Sequence, residues 1–348
     1  MTAFRVAVKA DDHLIRGLLR ENGLPGWVEM AIEREPSFFA GAGVVGEDWA
    51  VIASEEKDVV GMYTASVFPV HVDGATEEVG YLGGLRVTPR HRRRIRHLRG
   101  GYASIRSLAR ANTTLPWWFT SVSAENRVAR RLLESGIQGL PIYHPVGNYV
   151  TVALSAARGQ ARHLWRRATD ADVQRIAEFH NDRARKFQLS PALSAPVIRR
   201  IGAESFRIHE TAGEVHAVCA LWDQRWFKQI VARRYRQPIA ALLPVYNAFA
   251  RVLRRPVLPP AGRSLEHSFI AFLAFDEEAR DKAEALFQDL LDDCATPIAS
   301  LGLHARNPVL DVLQRFAPIR YESCIYAVAF DSVPQLAPLP VQPEAALL

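Results

Sequence analysis

The sequence predicts an α/β (α+β) protein built as two tandem units, each a mixed, mostly antiparallel sheet flanked by helices. Strand-like alternation is interleaved with amphipathic helical stripes along the chain. The 348 residues hold about two domains of roughly 100–200 residues. The order of elements in the first half also recurs in the second.

Phe4–Lys9 alternates as a strand, and Asp11 or Asp12 can cap a helix running to about Glu21. Gly23-Leu24-Pro25-Gly26 breaks it, and a second helix is expected from Trp27 to about Arg34. Strands follow at Trp49–Ser54, Val59–Val70 and Val79–Val87, with Asp73-Gly74 as the turn between the last two. A helix over Leu98–Ala111, a strand at Trp117–Val122, a helix over Glu125–Glu134 and strands near Ile142 and Tyr149–Leu154 complete the half.

The second half re-enters at Arg166–Asp172, where Asp170 matches Asp11 at an offset of 159 residues. Ser123-Ala124-Glu125-Asn126-Arg127-Val128 is echoed by His304-Ala305-Arg306-Asn307-Pro308-Val309 at an offset of 181. The extra length fits Asp223–Gly262, rich in Arg and Pro, which the first half lacks. With a boundary near Ala156–Arg162, the expected organisation is 1–158, 159–331 and a Pro-rich tail over 332–348, expected to be disordered.

Composition excludes disordered and collagen-like chains: 49% of residues are hydrophobic, 23% are charged, and the mean hydropathy is −0.05. No apolar run reaches the ~18 residues of a membrane span. With no signal-peptide core either, a cytoplasmic protein without a membrane partner is expected. Cys219, Cys294 and Cys324 are widely spaced, so no disulfide framework and no metal site is expected. The net charge of +6 invites an anionic partner, but five lysines against thirty-eight arginines suggest a GC-rich genome as much as phosphate binding. The aromatic and basic run Leu221–Lys228 reads as an RNA surface or as core packing with a polar rim; the second is commoner, and no nucleic-acid partner is expected.

The densest local signal is Tyr81-Leu82-Gly83-Gly84-Leu85-Arg86-Val87-Thr88-Pro89-Arg90-His91-Arg92-Arg93-Arg94-Ile95-Arg96-His97. A strand ends at Val87, and a basic turn enters a helix. Free N–H groups at the positive end of a helix dipole, with arginines beside them, make an anion site. A solvated basic face is the alternative.

Leu85-x-Val87-x-Pro89-x-His91-Arg92 before a helix, after this order of elements, resembles the acetyl-CoA-binding core of GNAT-type N-acetyltransferases. The family pattern is Val-x-Pro-x-Tyr-Arg-Gly-x-Gly-x-Gly/Ala. Val87, Pro89 and Arg92 match, His91 takes the aromatic place, and Arg93, Ile95 and His97 replace the glycines. In the second pattern Asn126, Ala129 and Leu132 are in place, Gly136 arrives one residue early, and Leu133 stands where tyrosine is usual. The resemblance covers about residues 4–155 by motif and 162–330 by element order.

It implies two tandem GNAT-like domains, the first transferring acetyl from acetyl-CoA, a co-substrate, to a small-molecule or peptide amine. The implied cofactor contacts are the backbone of Leu85, Arg86 and Val87 for pantetheine, residues Arg92, Arg93, Arg94, Ile95, Arg96 and His97 for the pyrophosphate, and Asn126. Asn126 reads equally as a plain helix cap. The family's usual carboxylate base falls at Tyr81; Glu77 and Glu78 are expected on the hairpin end, and Tyr143 and His144 are conceivable acids. The second loop, Asp276-Glu277-Glu278, is acidic and should repel a pyrophosphate. The second unit therefore reads as a degenerate copy. A catalytically silent CoA- or anion-binding module and a transferase of longer acyl-thioesters are the competing readings.

Overall fold

A computed structural model describes residues 2–23, 26–56, 58–88, 90–91, 95–113, 115–156, 162–253 and 255–348, without the side chains of 95–97 and 108–112. Pro89, Arg92, Arg93 and Arg94, and the expected unit boundary over 157–161, lie outside the described residues.

The first half contains β1 (Thr2–Val6), α1 (Asp12–Glu21), β2 (Val28–Glu33), β3 (Glu47–Glu55), β4 (Asp58–Val72), β5 (Ala75–Val87), α2 (Ile95–Asn112), β6 (Trp117–Ser123), α3 (Arg127–Leu133) and β7 (Ile142–Ser155). The second half begins with β8 (Arg166–Arg167), α4 (Val173–Ala184), β9 (Ser190–Pro191), α5 (Ala195–Ile201), β10 (Phe206–Thr211) and β11 (Glu214–Trp222). It continues through β12 (Gln229–Tyr235), α6 (Ile239–Val252), β13 (Arg263–Ser264) and β14 (His267–Phe275). The last elements are α7 (Glu277–Asp281), α8 (Ala283–Asp293), β15 (Ile298–His304), α9 (Val309–Leu313) and β16 (Ile319–Ala329).

One mixed sheet runs β1-β3-β4-β5-β6-β16-β7-β15-β14-β11-β10-β8, mostly antiparallel, with β9 added against β4. Its centre is a reciprocal exchange. β16 of the second half lies between β6 and β7, and β7 of the first half pairs in turn with β15. Each half thus receives its terminal strand from the other, and the sheet is continuous across both.

The repeat is visible in side chains. Arg5 grips Asp11 with two hydrogen bonds of 2.7 Å, and Arg166 grips Asp172 with bonds of 2.7 and 2.8 Å. Asp11 also accepts the Val8 N–H, as Asp172 accepts that of Thr169. The structural partner of Asp11 is therefore Asp172, not Asp170. Asp172 closes the capping box and Asp170 only opens the turn. Asn126 and Asn307 correspond as expected, each accepting an N–H of the helix it opens.

Two expectations need correction. Residues 28–33 form strand β2, not a helix: Val-x-Met-x-Ile alternation finds a partner in β12, which no local pattern reveals. The tail is not disordered: Val341, Ala345 and Ala346 are buried, and Gln188 bonds its backbone on both sides. Its prolines fix an extended run that side chains of both halves then hold.

Candidate active site

Asp73 and Gly74, both at positive φ, turn β4 into β5. The hairpin stays in register until Thr64 faces Gly83 and Met62 faces Arg86, so Gly84 and Leu85 together oppose Tyr63 alone. This is a β-bulge, and Gly84 takes the φ of +58° it requires. On the other edge β5 and β6 pair in parallel only at Gly80–Trp118 and Tyr81–Phe119. The Thr120 hydroxyl donates to the Leu82 carbonyl at 2.6 Å, and beyond it the strands diverge. On the β6 side the main chain of Gly84 and Leu85 therefore has no strand partner among the described residues. The two residues face a cavity of about 340 Å³ bordered by Gly83–Val87, Ser121–Ser123 and Asn126.

Tyr81, Leu85, Arg86, Val87 and Asn126 all line this cavity. Tyr81 is buried with its ring 5.1 Å from that of Phe119, and burial drives its phenol well above the ordinary value. It is a neutral hydroxyl at pH 7, suited to donating or relaying a proton rather than to taking one as a free base. Arg86 is buried and donates to the Leu85 carbonyl at 3.0 Å. The Asn126 side chain caps α3 through Ala129 N–H at 3.2 Å while bordering the cavity, so both of its readings hold in part. Ile95, Arg96 and His97 form the first turn of α2, whose later residues Leu98 and Gly101 border the cavity. Gly100 is explained by packing: a Cβ there would lie 2.2 Å from the Phe4 ring.

Of the other candidates, Tyr143 shares the cavity, and Glu77, Glu78 and His144 do not line it. Glu77 and Glu78 sit opposite Val70 and Pro69 on the hairpin end. The Tyr143 hydroxyl is 2.6 Å from that of Tyr102, and burial raises its pKa well above the ordinary value. His144 is exposed on β7 and outside the cavity lining. Leu133, in the place where tyrosine was absent, does line it.

The far end is built by residues that local patterns did not single out. Arg34 lies between the rings of Phe38 and Phe227, 5.7 and 5.6 Å from their centroids. Lys228 donates to the main-chain oxygens of Ala346 and Leu348 at 3.0 Å each. Burial, together with the nearby Arg34 charge, pushes its ammonium down to about 7. Leu347 and Leu348 line the cavity beside Lys228, and Tyr321 lines it too. The only sequence signal was Lys228 itself, one of five lysines, inside the Leu221–Lys228 run. That run is core packing with a rim: Trp222 and Phe227 are buried and Trp226 is exposed.

The second half carries the same bulge, with Phe272 at φ +54° in the place of Gly84, and β14 and β15 part after Phe269–Ser300. Here the cleft is filled by the chain itself. Glu344 accepts the Phe272 N–H at 2.7 Å, and Gln342 bridges His304 N–H and the Gly302 carbonyl. Pro343 accepts the Tyr149 hydroxyl at 2.6 Å. The tail thus plugs the second cleft and delivers Leu347 and Leu348 to the first.

No protein-family model matches the sequence, and no curated protein matches it. Solved structures do resemble it in fold. Saccharomyces cerevisiae N-myristoyltransferase with bound myristoyl-CoA superposes with a TM-score of 0.60 at 11% identity, over 97% of this chain and 86% of that one. A GCN5-related N-acetyltransferase from Anabaena variabilis gives 0.53 at 8% identity, over 94% and 72%. A protein from Enterococcus faecalis described as a probable N-acyltransferase gives 0.51 at 10%, over 94% and 72%. The splayed strands, the bulge and their repetition agree with these likenesses, and the chain has a GNAT-type fold in tandem arrangement.

Proposed function

We propose that this chain is an N-acyltransferase that moves an acyl group, acetyl in the first instance, from a CoA thioester to the amine of a small molecule or peptide. The first unit (1–158) would bind the thioester, and the second (159–331) would support it and complete the acceptor end. The observation that carries the reading is the bulge at Gly84–Leu85 beside the divergence of β5 from β6, which brings main chain without a β6 partner to the cavity.

The chemistry follows from that backbone. The pantetheine amides pair with the main chain along Leu85, Arg86 and Val87, and the pyrophosphate lies against the start of α2, with Arg92, Arg93, Arg94 and Arg96 as its cations. The neutral amine attacks the thioester carbonyl, the oxyanion is held by backbone N–H groups of the bulge, the C–S bond breaks, and the thiolate takes a proton. Tyr81 brings a neutral hydroxyl to the cavity that can supply or relay that proton. Lys228, brought to about 7, is the amine able to accept the one the nucleophile loses.

A longer acyl group is a second reading with its own support. Much of the cavity lining is apolar and includes Phe4, Leu19, Val51, Val60, Met62 and Ile105. Thiol release from acetyl-CoA and from CoA thioesters of increasing chain length, each with a panel of amines, tests both. Release with acetyl-CoA supports the first, release only with longer chains the second. CoA binding with no release for any pair would make the chain a silent binding module.

A further inference from the structure

Residues 229–264 are absent from the first half and play no part in the proposed chemistry beyond pairing β12 with β2. They hold α6, whose polar residues are consumed on one face. Asn247 exchanges two hydrogen bonds with Leu258, at 2.9 and 3.0 Å, and the Tyr246 hydroxyl donates to the Pro256 carbonyl at 3.0 Å. Ala250 is buried on the same side. The opposite face is open and apolar: Leu242, Val245, Phe249 and Val252, at i, i+3, i+7 and i+10, are 56, 53, 63 and 79% exposed, and Leu253 extends the stripe. Solitary exposed apolar residues need no explanation, but a continuous helical stripe does.

The charge within the segment has one sign, while Leu253 at its end borders Asp281, Lys282, Glu284 and Arg315 of the neighbouring surface. Residues 229–264 contain seven arginines and no acidic residue. Arg233 and Arg234 pair with Glu33 and Glu29 of β2. Arg236, Arg251, Arg255 and Arg263 are exposed and form no ion pair among the described residues. An exposed Trp27 joins the edge, its carbonyl accepting the Arg236 N–H at 3.0 Å, just where α6 begins. No helix among the described residues is long and apolar enough to cross a membrane, and α6, with 14 residues, is too short to do so.

From the apolar stripe and its unpaired arginine rim we infer that α6 docks on an anionic lipid surface. The helix lies in the plane of the interface, with Leu242, Val245, Phe249 and Val252 among the acyl chains and the arginines at the phosphates. A protein partner would have to bring both an apolar groove and a ring of acids, whereas an anionic bilayer presents apolar chains beneath negative headgroups over its whole area.

The test is flotation of the full chain with vesicles of phosphatidylcholine containing phosphatidylglycerol, set against pure phosphatidylcholine. Binding to the anionic vesicles only, weakened by salt, is the expected result. The double substitution Val245→Glu/Phe249→Glu should reduce binding about tenfold or more, and Arg251→Gln/Arg255→Gln should reduce it while leaving the stripe intact. Near-UV circular dichroism confirms that each variant is folded, and Phe249→Ser serves if the charged pair is not. No binding of the unaltered chain, or binding unmoved in folded stripe variants, overturns the proposal. So does a concentration-dependent dimer that Phe249→Ser dissociates without any vesicle binding, since the face then belongs to a second copy.

Discussion

Glu344 accepts the main-chain N–H of Phe272 at 2.7 Å, at the second-half bulge that corresponds to Gly84–Leu85. In the first half the equivalent residues, Gly84 and Leu85, border the cavity. The same backbone device therefore has two fates: one copy borders a cavity, and the other is bonded by the chain's own tail. Acetyl-CoA should protect Leu85–Gly101 from hydrogen exchange and leave Phe275–Ala283 unchanged. Protection confined to the second segment would reverse the assignment.

Glu344 also predicts a pH dependence. Burial raises its carboxyl from the ordinary 4.5 to about 7, so the folded state holds a proton that the unfolded chain has released. The stability it contributes is full below pH 4.5 and is lost as pH rises through about 7. Glu344→Gln keeps an acceptor for Phe272 without a titrating group, so its melting temperature should be flatter than that of the unaltered protein between pH 4.5 and 7. Parallel melting curves across that window would refute the assignment.

Much of this was legible in the sequence, and the exceptions share a cause. Strands β3 to β6, the Asp73-Gly74 turn and the Asn126/Asn307 pair follow from alternation, positive-φ turn chemistry and capping, all local signals. Tyr81, Leu85 and Val87 reach the cavity because strand order and the bulge position them. What escaped depends on distant chain. β2 is a strand because β12, some two hundred residues away, pairs with it. The exchange of β7 and β16 leaves no local trace, since periodicity does not name a partner. Four prolines made the tail read as unstructured, yet Gln342 and Glu344 hold it through bonds to His304 and Phe272. Arg34 and Lys228 meet in one cavity only through that tertiary arrangement.

Tyr81→Phe removes the hydroxyl and keeps the ring against Phe119. Turnover should fall by about 10- to 100-fold with CoA affinity nearly intact, if the phenol passes a proton to the departing thiolate. The comparison is single-turnover rate against the dissociation constant for CoA. A variant that melts earlier but turns over normally would leave Tyr81 as a core residue.

Lys228 carries the proton-acceptor reading. Because burial lowers its pKa to about 7, the rate should rise through about pH 7 as the amine becomes neutral. Lys228→Met should lower the rate and abolish that limb, whereas a purely structural loss would scale the whole profile without changing its shape. Met keeps the stem packed but gives up the bonds to Ala346 and Leu348, so the tail should also exchange its amides faster.

The exchanged strands predict that the halves cannot be separated. A fragment of residues 1–158 keeps β7 but loses both its neighbours, β16 and β15, and leaves the far edge of β6 unpaired. An exposed edge bearing Trp117, Trp118 and Phe119, all buried in the whole chain, is an aggregation template. The fragment also lacks Lys228, Leu347 and Leu348 from the lining of its cavity. Expressed alone it should be poorly soluble, or bind CoA without acylating any amine. Co-expression with residues 159–348 should restore a soluble complex, because each piece then supplies the other's missing strand. Gel filtration and thiol release measure both outcomes. A 1–158 fragment that is monomeric, soluble and fully active would show that neither the borrowed strand nor the shared pocket is needed.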